Sequence, residues 1–393
     1  QGGIILTASH NPPNYNGIKF NPNDGAPASI EVSTQIGTDA SSYLKEEVYG
    51  DTPSIPEDAP ATAKAASLGK AFANSLHKTC AQLLNTELPD LDLPIVIDAK
   101  HGATASTWQT LMHRFGMSQS TVLHSEPLPD FGKLAPNPLD LNGLYDLKAA
   151  MITQSAVMGI ANDPDGDRHI ILDENGDALS PEETAVIITD YLHANGVQLA
   201  GLASTCASSY LVAAAATTMD IPYLETAVGF KYFTQPFKRA RRQQKILVAV
   251  ESSGGISASC HTLEKCGFFP GLLLGLIAKI QNKKISELRD AIRARYGSYT
   301  FIEDAVSYNP AARTAIQTLV NESSIETLQE KIGLLISRLS RKDGLKLYFE
   351  GNDWVLLRLS GTEPVLRIYA ESQNSQRSQE LITQSRGLIA DFA

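Results

Sequence analysis

From about residue 90 onward, short β-branched apolar runs alternate with helix-length amphipathic stretches, a pattern that predicts α/β layers. Residues 94–98 (PIVID) read as a buried strand, followed by the small-residue turn AKHGAT. A helical stretch, TASTWQTLMHRFG, comes next and is closed by Gly116. A second unit starts at Ala203, where ASTCASSYLVAAAATTMDIPYLET reads as strand, helix and strand, and residues 245–250 (KILVAV) add a further strand. Between the units, residues 157–160 and 169–172 are strand-like runs flanking an acidic loop, and Asn175-Gly176 is a hairpin-type turn. In the tail, residues 354–359 and 365–369 bracket SGTEP, and SQELITQSRGLIADF has the spacing of an amphipathic helix. That combination predicts a small α+β domain. The shifts in pattern divide the chain into segments 1–88, 89–178, 179–297 and 298–393. No repeat of solenoid length and no low-complexity tract interrupts them.

Composition narrows the function classes. The 393 residues exceed one ordinary core, and hydrophobic (43%) and charged (19%) fractions are those of a soluble globular protein. A formal net charge of −10 argues against a nucleic-acid partner, which needs clustered Lys and Arg. The one basic run, KRARR at residues 238–242, lies among polar residues and reads as a solvated face. No apolar stretch reaches the ~18 residues of a membrane span. Cys80, Cys206, Cys260 and Cys266 form no CxxC pair, so they read as reduced thiols of a cytoplasmic protein. Neither a Walker A sequence nor a GxGxxG is present.

Four loops carry chemistry. Thr7-Ala8-Ser9-His10-Asn11-Pro12 follows the apolar run GGIIL, which puts a hydroxyl at a strand end before a proline-fixed turn, with Lys19 just beyond. Asp163-Pro164-Asp165-Gly166-Asp167-Arg168 sets three carboxylates at alternate positions. Their mutual repulsion calls for a positive charge among them, and hard oxygen ligands suit Mg²⁺ or Ca²⁺. Those aspartates and Glu174 fit the acidic spacing of an EF-hand loop, but Arg168 stands where that loop needs Gly, and the flanks read as strands. Glu251-Ser252-Ser253-Gly254-Gly255 follows KILVAV and offers a carboxylate and hydroxyls suited to vicinal sugar hydroxyls. Finally, Arg358 and Arg367 flank the turn Ser360-Gly361-Thr362, whose hydroxyls and N–H groups can converge on an anion.

In this order (TASHNP, DPDGDR, ExSGG, RxSGTEP) the loops resemble those of the α-D-phosphohexomutase superfamily, in particular its bacterial phosphoglucomutase/phosphomannomutase branch. IDAKHG, FGKLAPNP and VGFKYF add to the likeness, which spans nearly the whole chain. The resemblance implies an α/β fold of four domains around a central cleft: three related α/β domains and a smaller C-terminal α+β domain. It implies that Ser9 is a phosphoserine and that Asp163, Asp165 and Asp167 hold Mg²⁺ together with an oxygen on Ser9. Arg168 would lie beside that phosphate, with His10 and Lys19 flanking the transfer site. Glu251 and Ser253 would grip sugar hydroxyls, and Lys231 would approach the phosphosugar. Arg358, Ser360, Gly361, Thr362 and Arg367 would hold the phosphate that does not react.

The implied activity is exchange of hexose 1-phosphate and hexose 6-phosphate, for glucose or mannose, with glucose 1,6-bisphosphate as activator, a small-molecule phosphosugar as substrate, and neither nucleic acid nor membrane as a partner. Alternatives are a glucosamine- or N-acetylglucosamine-phosphate mutase, a hexose 1,6-bisphosphate synthase, or a phosphosugar-binding protein without turnover. The chain departs from the family pattern at Lys265-Cys266-Gly267, where many relatives have K-D-G, and at Gly255, where many have His. Only eight residues precede Ser9, whereas the family's phosphoserine loop lies well inside its first domain; the expectation is a fragment of a longer polypeptide.

Overall fold

The computed structural model describes residues 2–45, 68–360 and 364–389. The first strand, Gly2–Leu6, pairs antiparallel with Ile18–Pro22, and the TASHNP loop lies between them. Ile4, Leu6 and Ile18 on this ladder are about three-quarters exposed, at 73%, 75% and 74%. The helix Ile30–Lys45 follows.

The second sheet has five strands in the order 121–123, 95–98, 158–162, 169–172 and 178–179. Its first three run parallel and its last two antiparallel. Ile95–Asp98 and Met158–Asn162 are buried throughout, as apolar strands covered on both faces must be. The third sheet orders its strands 256–258, 246–250, 199–205 and 223–226, with a parallel core and one antiparallel edge. A capping box starts the helix Pro181–Ala194 between these sheets: Ser180 accepts from the Glu183 N–H and Glu183 accepts from the Ser180 N–H.

The second and third sheets share one core. Its centre is the helix Phe268–Gln281, whose residues from Phe268 to Ala278 are all buried, as an all-round apolar helix requires. The helix Leu68–Leu84 packs its Leu76, Cys80 and Leu83 into this same core, against the helix Ala105–Arg114. It therefore sits with the second layer, although the sequence pattern sets it before a boundary at residue 88. The C-terminal unit is a separate five-stranded antiparallel sheet, ordered 300–307, 365–372, 354–359, 345–348 and 338–340, with its own core. A cluster containing Cys206, Ala207, Tyr348, Trp354 and Tyr369 joins it to the third sheet. Among the described residues, no helix is long and apolar enough to cross a membrane.

Two glycines allow the loops to meet. A Cβ on Gly102 would lie 2.4 Å from Pro164 Cα and 2.7 Å from its carbonyl oxygen, and one on Gly267 would lie 2.3 Å from Arg168 O. Neither obstacle is a side chain that can swing away. Gly102→Ala is expected to lower stability by ~1–3 kcal/mol, read as a fall in the urea midpoint, and to displace the acidic loop. An unchanged midpoint would show that the backbone yields more easily than this packing implies.

Candidate active site

The acidic loop leaves one antiparallel strand, Met158–Asn162, and returns on the next, His169–Leu172. Asn162 closes its neck: the side-chain oxygen accepts from Trp108 Nε1 at 2.7 Å and the side-chain nitrogen donates to Arg168 O at 2.9 Å. Within the loop, Asp163 Oδ1 accepts the Arg168 N–H at 2.9 Å, and the Gly166 N–H donates to Asp163 O at 3.0 Å. These bonds turn the three carboxylates toward one another. Oxygens of Asp163, Asp165 and Asp167 all lie within 4.8 Å of each other.

Ser9 meets that cluster. Its hydroxyl donates to Asp163 Oδ2 at 2.9 Å, across 154 positions of sequence. Its backbone is left-handed (φ 52°), a strained conformation for a residue with a Cβ, and is fixed by the Ser9 N–H donating to Thr7 Oγ1 at 2.8 Å. Thr7 Oγ1 in turn donates to Asp165 Oδ2 at 3.0 Å. Strain of this kind persists where surrounding contacts enforce it, and here both loops do.

Three cations ring the carboxylates. Lys19 Nζ lies 2.9 Å from both Asp165 Oδ2 and Asp167 Oδ2. Arg168 Nε stands 3.9 Å from Asp163 Oδ2 and 3.7 Å from Asp167 Oδ1, within ion-pair range but making no hydrogen bond. Lys265 Nζ is 3.5 Å from Asp167 Oδ2 and 3.9 Å from Glu251 Oε2, so it links the acidic loop to the ESSGG loop. Beside it, Ser253 Oγ donates to Glu251 Oε2 at 3.4 Å. The two loops are also tied through the backbone, where the His169 N–H donates to Gly254 O at 3.0 Å.

Protonation follows this crowding. Burial first, and then the charges of Asp167 and Asp165, push the Asp163 carboxyl well above the usual carboxylate range. Burial also works to raise Asp165, but the charge and hydrogen bond of Lys19 outweigh it and hold Asp165 low. Lys19 itself is raised, because Asp167 and Asp165 overcome the opposing effect of its burial. Burial, with Arg168 adding to it, lowers His10 to about 4, which leaves the imidazole neutral near pH 7.

The remaining sequence-selected residues form a second group on the C-terminal sheet. Arg358 and Arg367 are directly opposite one another on adjacent antiparallel strands. Like charges so placed repel. Separate carboxylates restrain them: Arg358 Nε lies 3.0 Å from Asp343 Oδ2, and Arg367 Nη1 lies 2.9 Å from Glu303 Oε1. Ser360 is buried, and its carbonyl accepts from Arg313 Nη2 at 3.1 Å. Gly361 and Thr362 lie outside the described residues. Asp343 Oδ2 also accepts the Val228 N–H at 3.0 Å, which brings the VGFKYF segment, with Lys231, beside Arg358's strand. Among the described residues, no ion pair joins this group to the carboxylates near Ser9. Sequence reasoning gave Thr7 no role of its own within the TASHNP loop, and it did not select Lys265 or Asp343, which lie outside the four motifs where a single polar residue carries no periodic signal.

Family models match the chain in four consecutive pieces. Residues 1–47 match phosphoglucomutase/phosphomannomutase alpha/beta/alpha domain I, residues 70–176 domain II, residues 180–296 domain III, and residues 305–386 the C-terminal domain. The chain belongs to the phosphoglucomutase/phosphomannomutase family. Members of this phosphohexomutase superfamily are intramolecular phosphotransferases. One relative, a phosphoglucomutase/phosphomannomutase of Thermococcus kodakarensis, is 28% identical over 97% of this chain and 77% of its own length. A phosphoglucosamine mutase of Pseudomonas putida is 26% identical over 96% of this chain and 76% of its own. Among solved structures, the open form of Paramecium parafusin, a phosphoglucomutase, superposes with a TM-score of 0.70 at 21% identity. It covers 99% of this chain and 76% of that one. An N-acetylphosphoglucosamine mutase of Aspergillus fumigatus, solved with GlcNAc-6P and magnesium, gives a TM-score of 0.67 at 14% identity, covering 99% and 89%. The four-domain α/β architecture implied by the loops is the architecture of this family.

Proposed function

We propose that this chain interconverts hexose 1-phosphate and hexose 6-phosphate, of glucose or mannose, through a phosphorylated Ser9. The observation that carries the reading is the Ser9 hydroxyl bonded to Asp163 within a ring of three carboxylates and three cations. Such a setting suits phosphoryl transfer, where catalysis is positioning plus neutralisation of charge on the equatorial oxygens.

The residues present fit Mg²⁺. Asp163 is fully buried, and Asp165 Oδ1 and Asp167 Oδ1 are buried with no hydrogen-bond partner among the described residues, as oxygens awaiting a hard cation would be. Asp163, Asp165 and Asp167, with an oxygen on Ser9, would hold it, and when bound it would supply charge neutralisation to the phosphoryl group. The protein's own groups do the rest. The Ser9–Asp163 hydrogen bond fixes the direction of Oγ, while Lys19 and Arg168 meet the negative charge of the transferring group. Neutral His10 adds a donor or acceptor without further charge.

In the forward half-reaction the phosphorus–Oγ bond of phospho-Ser9 breaks and a bond to the free sugar hydroxyl forms; that hydroxyl loses its proton and Ser9 Oγ takes one up, regenerating the serine hydroxyl. The resulting bisphosphate reorients, and its other phosphate returns to Ser9, leaving the isomeric monophosphate. Glucose 1,6-bisphosphate added in trace amounts would serve as activator by rephosphorylating Ser9. Glu251 and Ser253 would hold sugar hydroxyls, with Lys265 next to them. The Arg358–Arg367 pair, with Ser360, Gly361, Thr362 and Lys231, would hold the idle phosphate; an anion between the facing guanidinium groups would relieve their repulsion.

Arg358→Ala is therefore expected to raise KM for the sugar phosphate by ~10–100-fold, the loss of a hydrogen bond to a charged group, with a smaller change in kcat. A KM equal to wild type would remove Arg358 from the phosphate site. A second reading, glucosamine phosphate, is favoured by the named activity of the P. putida relative. Parallel assays with glucose, mannose, glucosamine and N-acetylglucosamine phosphates separate the two. The first reading expects the highest kcat/KM with glucose or mannose, and conversion of none of the four would overturn the function.

A further inference from the structure

Glycine at position 255 leaves room that a lysine fills. The turn at residues 251–255 follows the strand Ile246–Val250 and closes on itself, the Glu251 N–H donating to Gly255 O at 2.9 Å. A Cβ on Gly255 would lie 2.7 Å from Lys265 Cδ and 3.3 Å from both Lys265 Cβ and Glu251 Oε2. The Lys265 stem thus crosses the space that a side chain at position 255 would take, directly beside the Glu251 carboxylate. Backbone bonds from the next two residues fix where that stem starts. The Cys266 N–H donates to Ile256 O at 3.0 Å and the Gly267 N–H to Gly166 O at 2.9 Å. The lysine's segment is therefore pinned to the strand Ile256–Ala258 on one side and to the acidic loop on the other.

The consequence is electrostatic. Among the described residues Glu251 has one ion-pair partner, Lys265, with Nζ 3.9 Å from Oε2. Both side chains are largely buried, so water screens the pair only weakly. The other carboxylate that Lys265 faces, Asp167, is already bridged by Lys19 and approached by Arg168. The corner of the site where Glu251 and Ser253 stand therefore carries no surplus negative charge, and a cation forms part of its wall. A carboxylate paired in this way still accepts hydrogen bonds from neutral hydroxyls. It does not offer an ammonium group the ion pair that a lone glutamate would, and that ammonium would meet Lys265 as well.

We propose that Lys265 is a specificity-determining residue that admits hexose phosphates with a neutral group on carbon 2 and disfavours the 2-ammonium sugar, glucosamine phosphate. The proposal rests on the reading that Glu251 and Ser253 hold vicinal sugar hydroxyls. In a hexose phosphate the vicinal ring hydroxyls away from the phosphorylated carbons are those on carbons 2, 3 and 4. Any held pair therefore includes carbon 3, whose neighbour is carbon 2, and this holds for either orientation of the sugar. An ammonium on carbon 2 is thus placed beside a held hydroxyl, in the corner that Lys265 lines. Gly255 is the enabling position, because a side chain there would push the lysine stem away from Glu251.

The test compares kcat/KM for glucosamine 6-phosphate, N-acetylglucosamine 6-phosphate and glucose 6-phosphate, each with trace glucose 1,6-bisphosphate, in the full chain and three variants. A loss common to all three sugars, such as one arising from the contact with Asp167, cancels in the ratios. Lys265→Met is expected to raise the glucosamine-to-glucose ratio by ~10-fold, the order for like charges a few ångströms apart near a protein surface. The N-acetylglucosamine-to-glucose ratio should stay within ~2-fold of wild type, because that substituent is neutral. Lys265→Arg keeps the charge and should keep the wild-type ratios. Gly255→Ala should act in the same direction as Lys265→Met, since its methyl group displaces a flexible stem and not backbone. If the methionine variant does not fold, Gly255→Ala decides alone. The proposal is overturned if the glucosamine ratio stays at its wild-type value, or if the N-acetylglucosamine ratio rises with it, which would mark a gain of room and not a loss of charge. Wild-type preference for glucosamine 6-phosphate over glucose 6-phosphate would overturn it as well. Conversion of none of the sugars by the wild type would strike the mutase reading and this proposal with it, an outcome distinct from unchanged ratios in a protein that turns over glucose 6-phosphate.

Discussion

Replacing Ser9 by alanine is expected to abolish mutase turnover, lowering kcat by ~10³-fold or more while the protein stays folded. The reason is specific to the oxygen. Ser9 Oγ is the atom directed at Asp163 Oδ2, and alanine keeps the Cβ and the left-handed backbone that the loop already enforces. The hydrogen bond that is lost is worth only ~1 kcal/mol, so the unfolding midpoint should move little. The measurements are a coupled hexose-phosphate assay and incorporation of labelled phosphate from glucose 1,6-bisphosphate. Both should vanish together. A variant that turns over at the wild-type rate would end the phosphoserine reading, and one that still takes up label at another residue would relocate it.

The second large effect concerns the three aspartates. Excess EDTA is expected to remove nearly all turnover, and Asp163→Asn to lose ~10²-fold or more even with Mg²⁺ saturating. Stability gives an independent readout. Asp163 is fully buried and its protonated form is favoured by burial and by the neighbouring charges, so Asn at this position is well tolerated without metal. A ligand that binds only the folded state raises the unfolding midpoint by mass action. Adding Mg²⁺ should therefore stabilise the wild type and leave Asp163→Asn unmoved. Equal stabilisation of both proteins would show that the cation binds elsewhere, and full activity in EDTA would remove the metal role.

Much of the layered pattern is written in local sequence. The strands Ile95–Asp98 and Ile246–Val250 are short β-branched runs buried on both faces, and burial on both faces is what makes such a run apolar from end to end. The pair of strands around the acidic loop and the turn with Gly176 at φ 80° likewise follow from alternation and turn chemistry. Less legible was the helix Leu68–Leu84, whose place depends on packing against Ala105–Arg114 and not on its own spacing. The edge strand of the C-terminal sheet, Thr300–Ser307, is half exposed and pairs with residues some 65 positions away, a long-range partnership that no window of local sequence contains.

For the site, the sequence by itself determined the chemical inventory: a strand-end serine, alternate aspartates, a carboxylate-hydroxyl loop and two arginines around a turn. These choices are local because each loop must present its own side chains from a strand end. The tertiary structure alone decided which of them meet. Ser9 reaches Asp163, Lys19 bridges Asp165 and Asp167, and Lys265 stands between Asp167 and Glu251. Those contacts form because glycines let the loops approach to within backbone contact and because the second and third sheets share one core. The same folding gave the KRARR run its division of roles, holding Lys238 and Arg241 in structural bonds and leaving Arg239 and Arg242 on a recess. Charge and burial at these positions are properties of neighbours brought from far along the chain, so composition could name the groups but not their states.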